Sequence, residues 1–274
     1  MNKIRTTLIP MILVAVMLVG TGMPSLSLAQ QAEQTSPDND YLEMAVLYHQ
    51  VSSEYRALCY QAYNVAKNRL EEMLHGESHP ESLAVVVDID ETVLDNSPYE
   101  ADLVLENYDY PKNWTEWIEL SAAHPIPGAL EFLQFADSVG VRIFYVSNRR
   151  ATTLIPTMEN LEVMDFPQVK EKHMYLRTDE SSKESRRNKI RENHRIALLI
   201  GDNLNDFSDV FGNRSNQDRN LAADLLRKKF GKKFIVLPNP MYGEWEGAIY
   251  DYDWSLSDEE KANAREKALK GFTD

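Results

Sequence analysis

An α/β fold, built on a parallel sheet with helices on both faces, is the class this sequence predicts, and three observations predict it. Five short runs rich in branched apolar residues recur, at 83–87, 141–148, 173–177, 195–203 and 233–239. Segments of helical period separate several of them. Three of the runs end in polar residues, at Asp88, Ser147 and Asp202. Strand, helix and strand in alternation make a doubly wound parallel sheet with a Rossmann-like core. In such sheets ligands bind at the carboxyl ends of the strands, so those three residues are expected to converge on one crevice.

Along the chain, Lys3 and Arg5 precede an apolar stretch from Leu8 to Val19, and Ser27-Leu28-Ala29 offers a small-x-small cleavage site. This is the pattern of a secretory signal peptide over residues 1–29, too short for a good membrane span. Residues 30–40 are polar and aperiodic and read as a flexible leader to a single domain over 41–274. From Tyr41 to about Leu74 apolar residues recur at three- and four-residue steps, with one step of six between Ala45 and Val51. That spacing predicts a long N-terminal amphipathic helix. "HGESHPES" ends it, and "LAVVV" reads as a strand buried on both faces. An aromatic-rich insertion at about 95–127, containing "NYDYPKNWTEWIEL", reads as a small, mainly helical cap over the crevice. Helices are expected at 128–138, 152–163 and 182–193, between the later strands.

The chain of 274 residues is 43% hydrophobic and 26% charged, an ordinary globular balance. Its net charge of −14 argues against a binder of duplex nucleic acid or of anionic membranes. A small phosphorylated ligand remains compatible, because a metal and a few local cations can reverse the potential inside one cleft. Cys59 is the only cysteine, which excludes an intramolecular disulfide. An exported protein of this kind relies on its core and on any bound metal. The histidines, His124 among them, show no ligand spacing.

The chemistry starts at Asp88-Ile89-Asp90-Glu91-Thr92, a D-x-D-x-T pattern leaving the first strand. Four carboxylates within eight residues, Asp88, Asp90, Glu91 and Asp95, repel one another unless a cation sits among them. One carboxylate could attack phosphorus while another protonates the leaving alcohol. A Mg²⁺ ion would offset the repulsion, since it takes carboxylate and phosphate oxygens. Alone, the pattern also fits a solvated loop or a Ca²⁺ site. Ser147 and Asn148 could hydrogen-bond phosphoryl oxygens, or Ser147 could cap a helix. Lys183 opens a helix after two serines, where ammonium and helix N-terminus both favour an anion; as a lone residue it could be a solvated charge. Asp202 and Asp206 in "GDNLND" offer further metal carboxylates, or turn residues. Arg149 and Arg150 read either as cations near the phosphate or as surface charges. All of these in this order at strand ends make the bland account improbable.

The combination "DIDETVLDNSPYE", "NWTEWIE", "PGALEFL", "FYVSNRR", "SSKESRR", "GDNLNDF" and "LPNPMYGEWEG" resembles the class C acid phosphatases, the bacterial 5′-nucleotidase lipoprotein family of the haloacid dehalogenase (HAD) superfamily. The resemblance runs from about Tyr41 to the C-terminus. It implies an HAD-like core and an Mg²⁺-dependent phosphomonoesterase acting on nucleoside 5′-monophosphates. Asp88 would be the nucleophile and Asp90 the general acid and base. Asp88, the Asp90 backbone carbonyl and Asp202 would hold Mg²⁺, supported by Asp206 from behind. Ser147, Asn148 and Lys183 would bind the phosphoryl group, and Trp114 and Tyr242 would sandwich the base. Glu91 and Asp95 have no catalytic role in this scheme. A homodimer would follow by resemblance. The departure lies at "LVGT", where Thr21 stands in place of a lipid-bearing cysteine, so the expectation is a periplasmic, secreted or cell-surface protein without that anchor. Two other readings are a phosphatase for a different small metabolite and a non-catalytic surface or storage protein retaining the fold.

Overall fold

The burial of β1 (Leu83–Val87) decides the architecture. Every one of its residues is buried, with Leu83, Val85 and Val87 in one apolar cluster and Ala84 and Val86 in another. Successive strand side chains point to opposite faces, so both faces of the sheet are covered, as parallel sheets require. The structure is a computed structural model describing residues 39–272. Two short strands, β2 (Leu94–Asp95) and β3 (His124–Pro125), pair antiparallel in a separate ribbon. β4 (Arg142–Arg150), β5 (Met174–Arg177), β6 (Arg195–Gly201) and β7 (Phe234–Val236) join β1 in a parallel sheet ordered β5–β4–β1–β6–β7. The chain moves outward from β1 first on one side and then on the other, so the switch point lies at the carboxyl end of β1.

Helices α1 (Asp40–Val51) and α2 (Ser53–Leu74) precede the sheet. One face of the sheet receives α2 through Tyr55, Cys59, Tyr63, Ala66 and Leu70. It also receives α5 (Ala129–Ser138) and α6 (Leu154–Val163). The other face receives Ile190 of α7 (Glu184–Arg191) and Leu226 of α8 (Asn216–Leu226). Between β2 and β3 stand α3 (Ser97–Leu105) and α4 (Trp114–Glu119). After β7 come a single turn, α9 (Glu244–Gly247), and α10 (Asp258–Ala268).

The expected single N-terminal helix is two helices. Ser52 adopts an extended conformation, and its Oγ accepts the Tyr55 amide at 2.9 Å. That is an N-cap, and it starts a new helix instead of continuing the old one. The six-residue step in the apolar pattern lies inside α1 and does not mark this break, which the ordinary four-residue step from Val51 to Tyr55 passes over. The break frees α1 to turn toward the insertion, where Leu42 and Val46 pack with Tyr99 and Leu103. Asn39 Nδ2 donates to the Leu103 and Tyr108 carbonyls, and Gln50 Nε2 to that of Ser97, each at 3.0 Å.

The β2–β3 ribbon, α8 and α10 were not foreseen, the ribbon because two-residue strands leave no periodicity to read. Strand β4 continues through Arg150, so Ser147 lies inside it, not at its end. The signal peptide expected at 1–29 and all but the last two residues of the 30–40 leader lie outside the described residues. Among the described residues no helix is long and apolar enough to cross a membrane.

Candidate active site

The Asp88 amide donates to the Ile200 carbonyl at 3.0 Å, which pins the end of β1 to β6. The chain then turns tightly: the Val93 and Leu94 amides both donate to the Ile89 carbonyl at 2.9 Å, and Glu91 takes a positive φ of 51°. This turn sends Asp88 and Asp90 into two different surroundings.

Asp88 enters a crowd of acids held around one lysine. Lys183 Nζ lies 2.6 Å from Asp88 Oδ1 and 2.6 Å from Asp206 Oδ1. Asp88 Oδ1 also accepts the Ile89 amide at 2.8 Å. Asp88, Asp202 and Asp206 each offer one carboxylate oxygen, all within 4.8 Å of one another. Asp202 is oriented by Thr92 Oγ1 at 3.2 Å and Asn239 Nδ2 at 2.9 Å. Asp206 Oδ2 accepts the Asn203 amide at 3.0 Å, closing a capping box on the short turn Leu204–Asp206. Its other oxygen faces Lys183. A Cβ at Gly201 would collide with the Asp206 carboxylate, so only glycine admits that side chain beneath β6.

The electrostatics follow from burial. Asp88 is held well above the usual carboxylate range by burial, against the pull of Lys183 and with help from Asp206 and Asp202. Asp202 is pushed up to about 7 by burial and by the Asp206 charge. Burial works to lower the Lys183 ammonium, but Asp206 and Asp88 outweigh it and raise it. Three carboxylates thus share one ammonium, and more positive charge would be favourable there.

Asp90 bears by its charge on Asp88 and Glu91, but its own side-chain oxygens receive donors. Its Oδ1 accepts Arg149 Nε at 2.8 Å and Asn96 Nδ2 at 2.9 Å, while Ser147 Oγ donates to Oδ2 at 3.2 Å. Ser147 in turn accepts the Arg149 amide at 3.0 Å. Asn148 is exposed, and its Oδ1 accepts Arg186 Nη2 at 2.7 Å. Arg186 is buried and also donates to the carbonyls of Ser147, Ser181 and Ser182, tying the end of β4 to the loop before Lys183.

Trp114 and Tyr242 both border the small apolar cluster of Tyr99, Leu103, Tyr108 and Met241. Trp114 packs edge-on against Tyr99, centroids 4.9 Å apart, and the Arg149 guanidinium lies 5.7 Å from its ring centre. Asn239 Oδ1 accepts the Met241 amide at 2.9 Å, so the residue that orients Asp202 also shapes the loop carrying Tyr242.

Sequence reasoning missed four groups. Arg149 was one of two undifferentiated arginines, yet the alternation of β4 carries the signal: Ser147 and Arg149 are buried, Asn148 and Arg150 exposed. Asn96 and Asn239 looked like ordinary turn residues in "DNSP" and "PNP". His49 shows no ligand spacing but is buried with Nε2 3.2 Å from Asp95 Oδ1, where it joins α1 to β2.

A family model described as HAD superfamily, subfamily IIIB (acid phosphatase) matches residues 23–245. Among solved structures, the class C acid phosphatase from Bacillus anthracis superimposes with a TM-score of 0.82 at 42% identity, over 85% of this chain and 98% of the other. A structure of the class C acid phosphatase from Bacillus anthracis with tungstate bound gives 0.83 at 43% identity, over the same shares. Acid phosphatase 1 from Solanum lycopersicum is 27% identical over 165 residues, 57% of each chain. The stem 31 kDa glycoprotein of Glycine max is 26% identical over 222 residues, 77% of this chain and 74% of its own. The family match spans most of the chain and agrees with the solved structures in sheet and sequence. The chain therefore belongs to subfamily IIIB of the HAD superfamily and is a phosphoric monoester hydrolase of the acid phosphatase kind.

Proposed function

We propose that the chain is an exported, Mg²⁺-dependent acid phosphatase that hydrolyses nucleoside 5′-monophosphates through a phosphorylated Asp88. The single observation that carries this reading is the placement of Lys183, 2.6 Å from both Asp88 and Asp206, at the point where Asp202 joins them. Three buried carboxylates around one ammonium make a hard oxygen donor set with a deficit of positive charge, which fits Mg²⁺. Asp88, Asp202 and the Asp90 backbone carbonyl would hold the ion, with Asp206 behind them. When bound, it supplies charge neutralisation and orients phosphoryl oxygens.

The protein's own groups do the rest. An oxygen of Asp88 attacks phosphorus, and Asp90 gives its proton to the departing oxygen. Asp90 then takes a proton from the water that releases phosphate from Asp88. Lys183, the Ser147 hydroxyl and the Asn148 amide, whose oxygen is held by Arg186, receive the phosphoryl oxygens. The tungstate held by the Bacillus anthracis enzyme is a tetrahedral oxyanion of the same character as phosphate. Trp114 and Tyr242 supply aromatic surface for a base, and stacking tolerates base identity. Export through residues 1–29 and a homodimer belong to the same reading.

Phosphate release from a panel of nucleotides, aryl phosphates and alkyl phosphates, with Mg²⁺ and with chelator, tests it. Metal-dependent turnover with nucleotides preferred, abolished in Asp88→Asn, is the expected result. A preference for another metabolite would move the substrate assignment, and turnover that survives chelation would overturn the metal dependence.

A further inference from the structure

Arg149 is buried, with its side chain 1% exposed, and its donors diverge onto four partners. Nε reaches Asp90 Oδ1 at 2.8 Å, Nη2 reaches Asn96 Oδ1 at 3.3 Å, and Nη1 reaches Thr157 Oγ1 at 3.3 Å. Its backbone amide reaches Ser147 Oγ. Asn96 is fixed by the same logic. Its amide oxygen accepts Trp117 Nε1 at 2.9 Å as well as Arg149. Indole and guanidinium can only donate, so the Asn96 oxygen faces them and its NH₂ faces Asp90 Oδ1.

Both groups against Asp90 Oδ1 are therefore donors that cannot accept. A proton on Oδ1 would set O–H against N–H on two sides. Oδ2 has a different neighbour, the Ser147 hydroxyl, which can donate or accept. We propose that Arg149, with Asn96, is a positioning residue that reserves Oδ1 of Asp90 as a pure acceptor, so that Oδ2 carries the transferable proton. This rests on Asp90 being the proton donor and says how it is aimed. As the Asp88 oxygen–phosphorus bond forms, the bond from phosphorus to the leaving oxygen breaks with its electron pair on that oxygen. The Oδ2 proton passes to it, leaving the alcohol and ionised Asp90. In the second half, water attacks phosphorus, its proton returns to Oδ2, and Asp88 is released. The same network touches two tryptophans of the insertion, Trp117 through Asn96 and Trp114 beneath the guanidinium, so the aim of Asp90 is tied to that segment.

The test uses leaving groups. An acidic leaving group such as p-nitrophenolate needs little help from a proton donor, whereas benzyl alcoholate needs much. The readout is kcat/KM for p-nitrophenyl phosphate divided by that for benzyl phosphate, with Mg²⁺ present, since kcat/KM reports phosphoenzyme formation. Asp90→Asn should raise this ratio about 100-fold or more. Arg149→Lys keeps the charge but not the fork and should raise it about 10-fold or more. Asn96→Ser removes the other Oδ1 donor and should move the ratio the same way, which keeps the test open if Arg149→Lys folds poorly by circular dichroism. In the Asp90→Asn background, Arg149→Lys should add nothing to the ratio. Equal losses on both esters, or a ratio that still moves without Asp90, would overturn the positioning role. An unchanged ratio in Asp90→Asn itself would instead overturn the assignment of Asp90 as proton donor.

Discussion

Asp88 and Asp90 stand two residues apart on one turn, yet their surroundings differ in kind. Asp88 is packed against other acids and one shared ammonium, and burial raises it and Asp202 together. Asp90 is met by an arginine, an amide and a hydroxyl, all donating. The first corner is short of positive charge and is built to receive it. The second is satisfied and is built to hold a carboxylate in one orientation. On the proposed reading, one turn thus separates the problem of binding and attacking an anion from the problem of aiming a proton.

The contrast between the two corners has measurable consequences. The most severe follows from removing the attacking group. Asp88→Asn should reduce kcat by at least about 10⁴-fold, measured by phosphate release, while the protein stays folded. Residual activity within about tenfold of wild type would assign the attack to another group.

On the proposed reading, metal acts chiefly on the Asp88 corner and meets Asp90 only through its backbone carbonyl. Chelation should abolish turnover, and Mg²⁺ at about 100 times its Kd should stabilise the fold by about 2.7 kcal/mol, read as a rise in Tm. Asp202→Asn should lose that rise, even though it relieves repulsion among the buried carboxylates. Asn239→Ala sharpens the point: it releases Asp202 from its 2.9 Å bond and should weaken Mg²⁺ binding about 10- to 100-fold. Calorimetric titration measures this directly, and an unchanged affinity would remove Asn239 from the account.

The aromatic pair borders both corners, Trp114 against the Arg149 guanidinium and Tyr242 on the loop that Asn239 shapes. Trp114→Ala or Tyr242→Ala should raise KM for nucleoside 5′-monophosphates by about 5-fold or more, as expected for one lost stacking surface. KM for small alkyl phosphates should move less. Equal effects on both would mean that these rings only pack.

The smallest effect is on stability, and its sign follows from a buried pair, Glu100 and Glu246, that has no part in the proposed metal set. Glu100 is pushed from 4.5 up to about 8 by burial and by the charge of Glu246. The folded state therefore holds this proton more tightly than the unfolded chain. Its contribution is fully present below about pH 4.5 and is lost as pH rises toward 8. With Mg²⁺ present, Tm should fall across that window, and Glu100→Gln should flatten the fall and raise Tm near pH 8 by a few degrees. A parallel fall in the variant would place the pH dependence elsewhere.

The strands and the charged corner were legible because each is local. "LAVVV" needs two covered faces wherever it sits, and Asp88, Lys183 and Asp202 occur at positions that a parallel sheet brings together. The family resemblance rested on the same residues. What remained hidden depends on partners distant in sequence. Arg149 reaches Asp90 across 59 residues and Asn239 reaches Asp202 across 37; the alternation of β4 turns Arg149 inward, but nothing local names the partner of either. The break at Ser52 was hidden because the apolar pattern steps regularly across it, from Val51 to Tyr55, while the cap depends on a single serine hydroxyl.

The claim on which both corners depend is that phosphorus passes through Asp88. Quenching the enzyme in acid during turnover of p-nitrophenyl phosphate, reducing with borohydride and mapping peptides by mass spectrometry tests it, because borohydride converts an aspartyl phosphate to homoserine. Conversion is expected at Asp88, with Asp90 unchanged. Conversion at Asp90, or none anywhere in enzyme that is turning over, would contradict the claim.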